Sequence, residues 1–191
     1  LDMQQEQILR GTVVSMKDCI YKPDIFEMED ETARQIAQRL LDKTPCPNIN
    51  SLLEQVKSRF GLSLSAMQSK GVQQACIYNL SIITGPPGSG KTSAIKAIIE
   101  VFRILCPKGI IMLMAPTGRA SRRMVESTGF EEASTLHSGL SVISEEDESC
   151  RKREPGLLDA DLIIVDEVSL VDMWLMSQFF KRLKRNTKIV L

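Results

Sequence analysis

Apolar positions along the chain follow two different spacings. Residues 80–84, 109–115 and 162–165 are dense runs of Ile, Leu, Val and Met bounded by turn signals. A run without a polar face cannot turn one side to water, so 109–115 and 162–165 read as strands buried in a parallel sheet, and 80–84 reads as the strand before a glycine-rich loop. Around them the apolar residues recur every three or four positions, which is helical spacing. Residues 93–105 form such a stretch directly after the first run. Residues 29–41 carry Ala33, Ile36, Ala37, Leu40 and Leu41 on one face. Met173, Met176, Phe180 and Leu183 make a stripe that reads as core packing, with Asp172 as its N-cap.

Punctuation refines these elements. Ser65 with Gln68 is a capping box opening a helix to about residue 79, and Ser51 with Glu54 predicts another that ends at Gly61. Thr44-Pro45-Cys46-Pro47-Asn48 breaks the helix before it. Residues 12–15 and 19–21, separated by Met16-Lys17-Asp18, read as a small hairpin. The expected organisation is a small, mainly helical, winged-helix-like accessory subdomain over 1–61, then an α/β domain over 62–191 with a parallel sheet flanked by helices. The chain opens on Leu1 and closes on a strand-like Lys188-Ile189-Val190-Leu191, so a piece of a longer protein is expected.

Composition narrows the function classes. At 43% hydrophobic and 25% charged the chain is an ordinary globular sequence. Lys+Arg and Asp+Glu are both 24, so any nucleic-acid contact must come from a local surface. No apolar run nears the roughly 18 residues of a membrane span, and no leader is visible, so a cytoplasmic protein without a membrane partner is expected. Five scattered cysteines lack zinc spacing and read as free thiols of a reducing compartment.

The densest chemistry lies at Gly85-Pro86-Pro87-Gly88-Ser89-Gly90-Lys91-Thr92. It follows a strand and opens a helix, the context a phosphate-binding P-loop requires. Glycines allow the tight turn that aims successive N–H groups at phosphate oxygens, and the helix start adds a positive dipole end. Lys91 is expected on the β- and γ-phosphates of ATP and the Thr92 hydroxyl on Mg²⁺. Residues 85–93, Ser93 included, form the predicted nucleotide site. Asp166 and Glu167 end the buried run at 162–165. In a P-loop protein Asp166 would hold the Mg²⁺ shell and Glu167 would activate the attacking water. The two motifs are expected side by side at adjacent strand ends.

Other positions have two readings. Gln68 serves the capping box or, through its amide, the adenine edge. Arg119, Arg122 and Arg123 form a compact basic cluster, either a solvated helix face or a phosphate contact. His137 is the lone histidine and has no Cys or second His as a metal partner. The acidic-then-basic run over 144–153 reads as a solvated loop.

Five stretches in order, 64–68, 85–92, 115–120 (APTGRA), 134–137 (STLH) and 164–172 (IVDEVSLVD), resemble the RecD/TraA group of superfamily-1 DNA helicases, which includes the exodeoxyribonuclease V alpha subunit. The likeness covers 62–191 well, and 1–61 more loosely resembles the small domain that precedes the motor in longer members. The family loop usually reads Gly-Gly-Pro-Gly-Thr-Gly-Lys-Thr, so Pro86 and Ser89 are mild departures. The resemblance implies a RecA-like P-loop fold and a motor that hydrolyses ATP with Mg²⁺ to move 5′ to 3′ along single-stranded DNA. It moves Gln68 toward adenine and sets Thr117, Gly118, Arg119, Thr135 and His137 where the family touches the DNA backbone. It also implies a second RecA-like domain beyond Leu191, with the arginine fingers, as the partner of this one. Helicase–nuclease subunits stay unnamed. A chain without the second domain is expected to bind nucleotide but to unwind nothing. Two alternatives are the helicase portion of a TraA-type conjugative relaxase and a nucleotide-dependent switch domain without a motor cycle.

Overall fold

A computed structural model describes residues 11–16, 19–86, 88–141 and 156–191. A hairpin of β1 (Val14–Met16) and β2 (Cys19–Tyr21) is followed by α1 (Pro23–Leu41), α2 (Ile49–Phe60) and α3 (Ala66–Ile77). Then come β3 (Leu80–Ser81), α4 (Lys91–Leu105), β4 (Ile111–Ala115), α5 (Gly118–Thr128), β5 (Ser134–Thr135) and the short α6 (Leu136–Gly139). The described chain closes with β6 (Leu162–Val165), a 3₁₀ turn at Val168–Leu170, α7 (Met173–Lys181) and β7 (Lys188–Val190).

Five strands form one parallel sheet in the order β3-β7-β6-β4-β5. The unbroken apolar runs explain it. Leu162 and Ile164 pack into one cluster with Leu113, Val190 and residues of α2, α3, α4 and α5. Ile163 and Val165, pointing the other way, join Leu80, Met114, Ile189 and the buried side of α7. All four β6 residues are buried, and each such side chain withdrawn from water contributes roughly 1.5–3 kcal/mol. The result is the α/β P-loop architecture expected from the sequence, with helices on both faces.

The sheet order corrects one expectation. The strand before the glycine loop and the strand before the acidic pair are not neighbours, because β7 lies between them: Leu80 pairs with Ile189, and Ile164 pairs with Val190. The ladder extends past β3, with Ile83 N–H donating to the Leu191 carbonyl at 2.8 Å. The strand read as the cut end of the chain is therefore interior to the sheet.

Helix boundaries also shift. α1 begins at Pro23, six residues before the expected start at residue 29, since proline at the first helical position loses no hydrogen bond there. α2 begins at Ile49 with Asn48 as N-cap and no side-chain cap bond, so Ser51 does not cap it; Glu54 pairs with Lys57 instead. Gly61 ends α2 in the left-handed region, as expected. Within 23–60, α2 puts Ile49, Leu53 and Val56 into the core shared with α3 and α4. α1 lies on the opposite face, where buried Arg39 donates from Nη2 to the carbonyls of Leu183 (3.5 Å) and Lys184 (3.2 Å). Cys19, Cys46, Cys76 and Cys106 are free thiols, and burial pushes Cys76 up to about 12. Among the described residues no helix is long and apolar enough to cross a membrane.

Candidate active site

All five strands are parallel, so their C-terminal ends share one edge, where open α/β sheets collect ligands. A cavity of about 270 Å³ opens there, lined by Gly85, Lys91, Asp166 and Glu167 among others. The sheet has brought the glycine loop and the acidic pair to one space across the width of β7.

The loop holds its shape with local means. Gly88 and Gly90 have φ of +77° and +78°, the left-handed region that side-chain-bearing residues enter at a cost. Gly85 has a different reason to be glycine: a Cβ there would lie 2.6 Å from Ser89 Oγ. The Lys91 ammonium donates to the Gly85 carbonyl and, at 3.4 Å, to that of Pro86. Thr92 is exposed on the first turn of α4, with Ser93 beside it. Pro87 and the charged run over 144–153 lie outside the described residues.

Gln68 completes the capping box and also reaches the glycine loop. Its Oε1 accepts from Ser65 N–H at 2.7 Å and Ser65 Oγ accepts from Gln68 N–H at 3.2 Å, which completes the capping box. Its Nε2 meanwhile donates to the Ser89 carbonyl at 2.8 Å, reaching into the glycine loop. A second cavity of about 450 Å³ lies beside it, lined by Gln68, Gln74, Ile82, Pro86 and Lys91 among others. Gln68 thus stands between the loop and a partly apolar hollow.

The acidic wall is assembled differently. Asp166 Oδ1 accepts from Glu167 N–H at 2.9 Å, which leaves Oδ2 without a hydrogen bond among the described residues. That oxygen and the Thr92 hydroxyl are the hard donors that Mg²⁺ takes, so the residues present fit a magnesium ion. Glu167 has φ of +54° and ψ of +35°, a left-handed conformation that is uncommon outside glycine. Its Oε1 is ion-paired with Nη2 of Arg123 from α5.

The remaining predicted positions gather further along the same edge. β4 and β5 are neighbours, with Ala115 opposite Thr135. Thr117 Oγ1 caps α5 by accepting from Ala120 N–H at 3.2 Å, and Thr135 Oγ1 caps α6 by accepting from Ser138 N–H at 3.1 Å. Gly118, Arg119 and His137 are exposed beside them. The contact that motif reading missed is the one between Arg123 and Glu167. The two residues stand 44 positions apart, and no spacing rule links residues on separate elements.

Comparison with known proteins agrees with this arrangement. Residues 68–191 match the family described as AAA domain. Over 93% of its length the chain is 30% identical to the RecBCD enzyme subunit RecD of Buchnera aphidicola subsp. Schizaphis graminum, covering 32% of that protein. It is 30% identical to the ATP-dependent RecD2 DNA helicase of Deinococcus radiodurans over 90% of this chain and 23% of that one. With the ATP-dependent DNA helicase dda of Enterobacteria phage T4 it shares 35% identity over 64% of this chain and 27% of the phage protein. The chain thus spans about a third or less of the curated relatives it matches.

Proposed function

Since the chain belongs to the AAA domain family and is RecD-like among the superfamily-1 DNA helicases, we propose that it is the ATP-binding part of a motor that moves 5′ to 3′ along single-stranded DNA and parts the duplex ahead. The observation that carries this reading is the shared cavity at the sheet edge, with Lys91 on one wall and Asp166 and Glu167 on the other.

Each residue then has a task. Residues 85–93 cradle the triphosphate through the N–H groups of all but Pro86 and Pro87, and Lys91 leaves its loop carbonyls to meet the β- and γ-phosphates. Gln68 faces the adenine. Thr92 and Asp166 would hold Mg²⁺, which would supply charge neutralisation for the phosphates when bound. Glu167 accepts a proton from the water whose oxygen attacks the γ-phosphorus. The bond to the β-phosphate oxygen breaks, and ADP leaves with the electron pair. Thr117, Gly118, Arg119, Thr135 and His137 track the DNA backbone, which carries no sequence information and needs no large net charge.

The second RecA-like domain, with its arginine finger, belongs to the remainder of the protein, in keeping with the length of the relatives. Such a finger is worth a factor of about 10³–10⁵ in turnover. The chain alone therefore binds nucleotide, hydrolyses it slowly and unwinds nothing, in the cytoplasm where its thiols stay reduced. We divide the sequence functionally at residue 61, with 62–191 as motor and 1–61 as accessory, although α2 shares the motor's core.

The test uses the full-length protein that carries this chain. Its ATPase rate is measured with and without single-stranded DNA, and its unwinding on duplexes with a 5′ or a 3′ tail. The expected result is stimulation by DNA and unwinding from the 5′ tail only. ATP turnover indifferent to DNA would make this a nucleotide-dependent switch domain, and unwinding from the 3′ tail would reverse the polarity.

A further inference from the structure

The Arg123–Glu167 ion pair ties the proposed water-activating carboxylate to the helix that carries the proposed DNA contacts. We infer that Arg123 is a positioning residue that holds Glu167 out of use until single-stranded DNA draws its guanidinium away. This inference rests on the helicase reading of the same site.

Three observations carry it. First, the pair engages the group that catalysis needs free. The Glu167 Oε1 that would receive the water's proton is occupied by the Arg123 guanidinium. Second, Arg123 is within reach of a competing anion. Its side chain is 60% exposed while that of Glu167 is 33% exposed, so the solvent side of the pair is the arginine. Arg123 lies on α5, downstream of the Thr117 cap and Arg119, with exposed Arg122 next to it. A DNA phosphate offers the planar fork of arginine two oxygens, as the carboxylate does. Third, Glu167 is held in a backbone conformation that costs energy for a non-glycine residue.

The consequence is a coupling between DNA and hydrolysis that runs through one ion pair. Coupling is reciprocal: if DNA frees Glu167, loss of Glu167 must free Arg123 for DNA.

The experiment is done on the full-length protein. Arg123→Ala should raise DNA-free kcat at least about fivefold, the lower end of typical coupling, and shrink the ratio of DNA-stimulated to basal turnover by the same factor. Arg123→Lys, which keeps the charge without the fork, should fall between. A second measurement needs no activity. Glu167→Ala should bind a fluorescent oligo-dT strand more tightly than wild type without nucleotide, and the double variant Arg123→Ala/Glu167→Ala should lose that gain. The proposal is overturned if Arg123→Ala leaves the ratio unchanged, if it lowers both rates together, or if Glu167→Ala binds oligo-dT no better than wild type. A wild-type protein without any DNA-stimulated turnover would instead sink the helicase reading itself, a result separate from these.

Discussion

The two walls of the cavity are built on opposite principles. The glycine loop is mostly local: apart from the Gln68 amide on the Ser89 carbonyl, the groups that shape it are its own residues, down to the Lys91 ammonium resting on carbonyls five and six positions earlier in the chain. The acidic wall borrows its state from elsewhere. Glu167 is held by an arginine from another helix, and the whole wall is set against the loop by a strand that comes last in the chain. A local device carries its geometry wherever the sequence goes. A borrowed one can be altered from a distance, which under the proposed motor reading suits the half of the site that would time hydrolysis.

The sharpest way to break the comparison is Glu167→Gln in the full-length protein. Removing only the proton acceptor should cost about 10²–10⁴ in turnover and leave ATP affinity near wild type. A single-turnover assay beside equilibrium binding separates the two, and unchanged hydrolysis would remove Glu167 from the role of base. Lys91→Ala comes next and acts on the local wall. Loss of charge-assisted bonds to phosphate should weaken ATP binding on the order of 100-fold, read by titration with a fluorescent ATP analogue. Near-normal affinity would show that the backbone cradle suffices.

Gly90→Ala is the third. Its left-handed φ costs about 1–2 kcal/mol for any side chain, and the new Cβ would collide with the Gln68 amide. Gly61→Ala supplies the control, since Gly61 is also left-handed (φ +61°) but has nothing within 4 Å of the added carbon. Urea midpoints should fall in both, and nucleotide affinity only in Gly90→Ala. Equal affinity in the two variants would mean that the loop tolerates displacement of Gln68. The smallest effect belongs to Gln68→Ala. It removes the reciprocal cap and the bond to Ser89, so stability should drop by about 1–2 kcal/mol. Preference for ATP over GTP should narrow a few-fold. Retained preference would confine Gln68 to capping.

The same contrast explains what was legible in the sequence. Elements set by local chemistry came through: the left-handed Gly61 stop, the Ser65–Gln68 box, the Asp172 cap and the unbroken apolar runs of β4 and β6 all form where their residues predict. The misread start of α2 is instructive because Ser51 and Glu54 have capping spacing. The apolar side of the helix reaches back to Ile49, which is buried in the core, so packing sets the start. Relations between distant elements left no local trace. Nothing near Lys188 announces that it begins an interior strand, and the arginine cluster at 119–123 does not say which member turns to Glu167. The sheet and the glycine loop were therefore readable in advance, while the relation of the two walls was not.

The placement of β7 bears on how the protein is made. Residues 80–81 leave the ribosome well before residues 188–190, the strand they pair with in the sheet. Until then the nascent chain holds two unjoined halves, one ending at the glycine turn and the other spanning β4 to β6. Pairings so far apart in sequence are slow to form. The cavity at the sheet edge therefore takes shape only when residues 188–190 join β3 to β6, in the same step that seals the sheet.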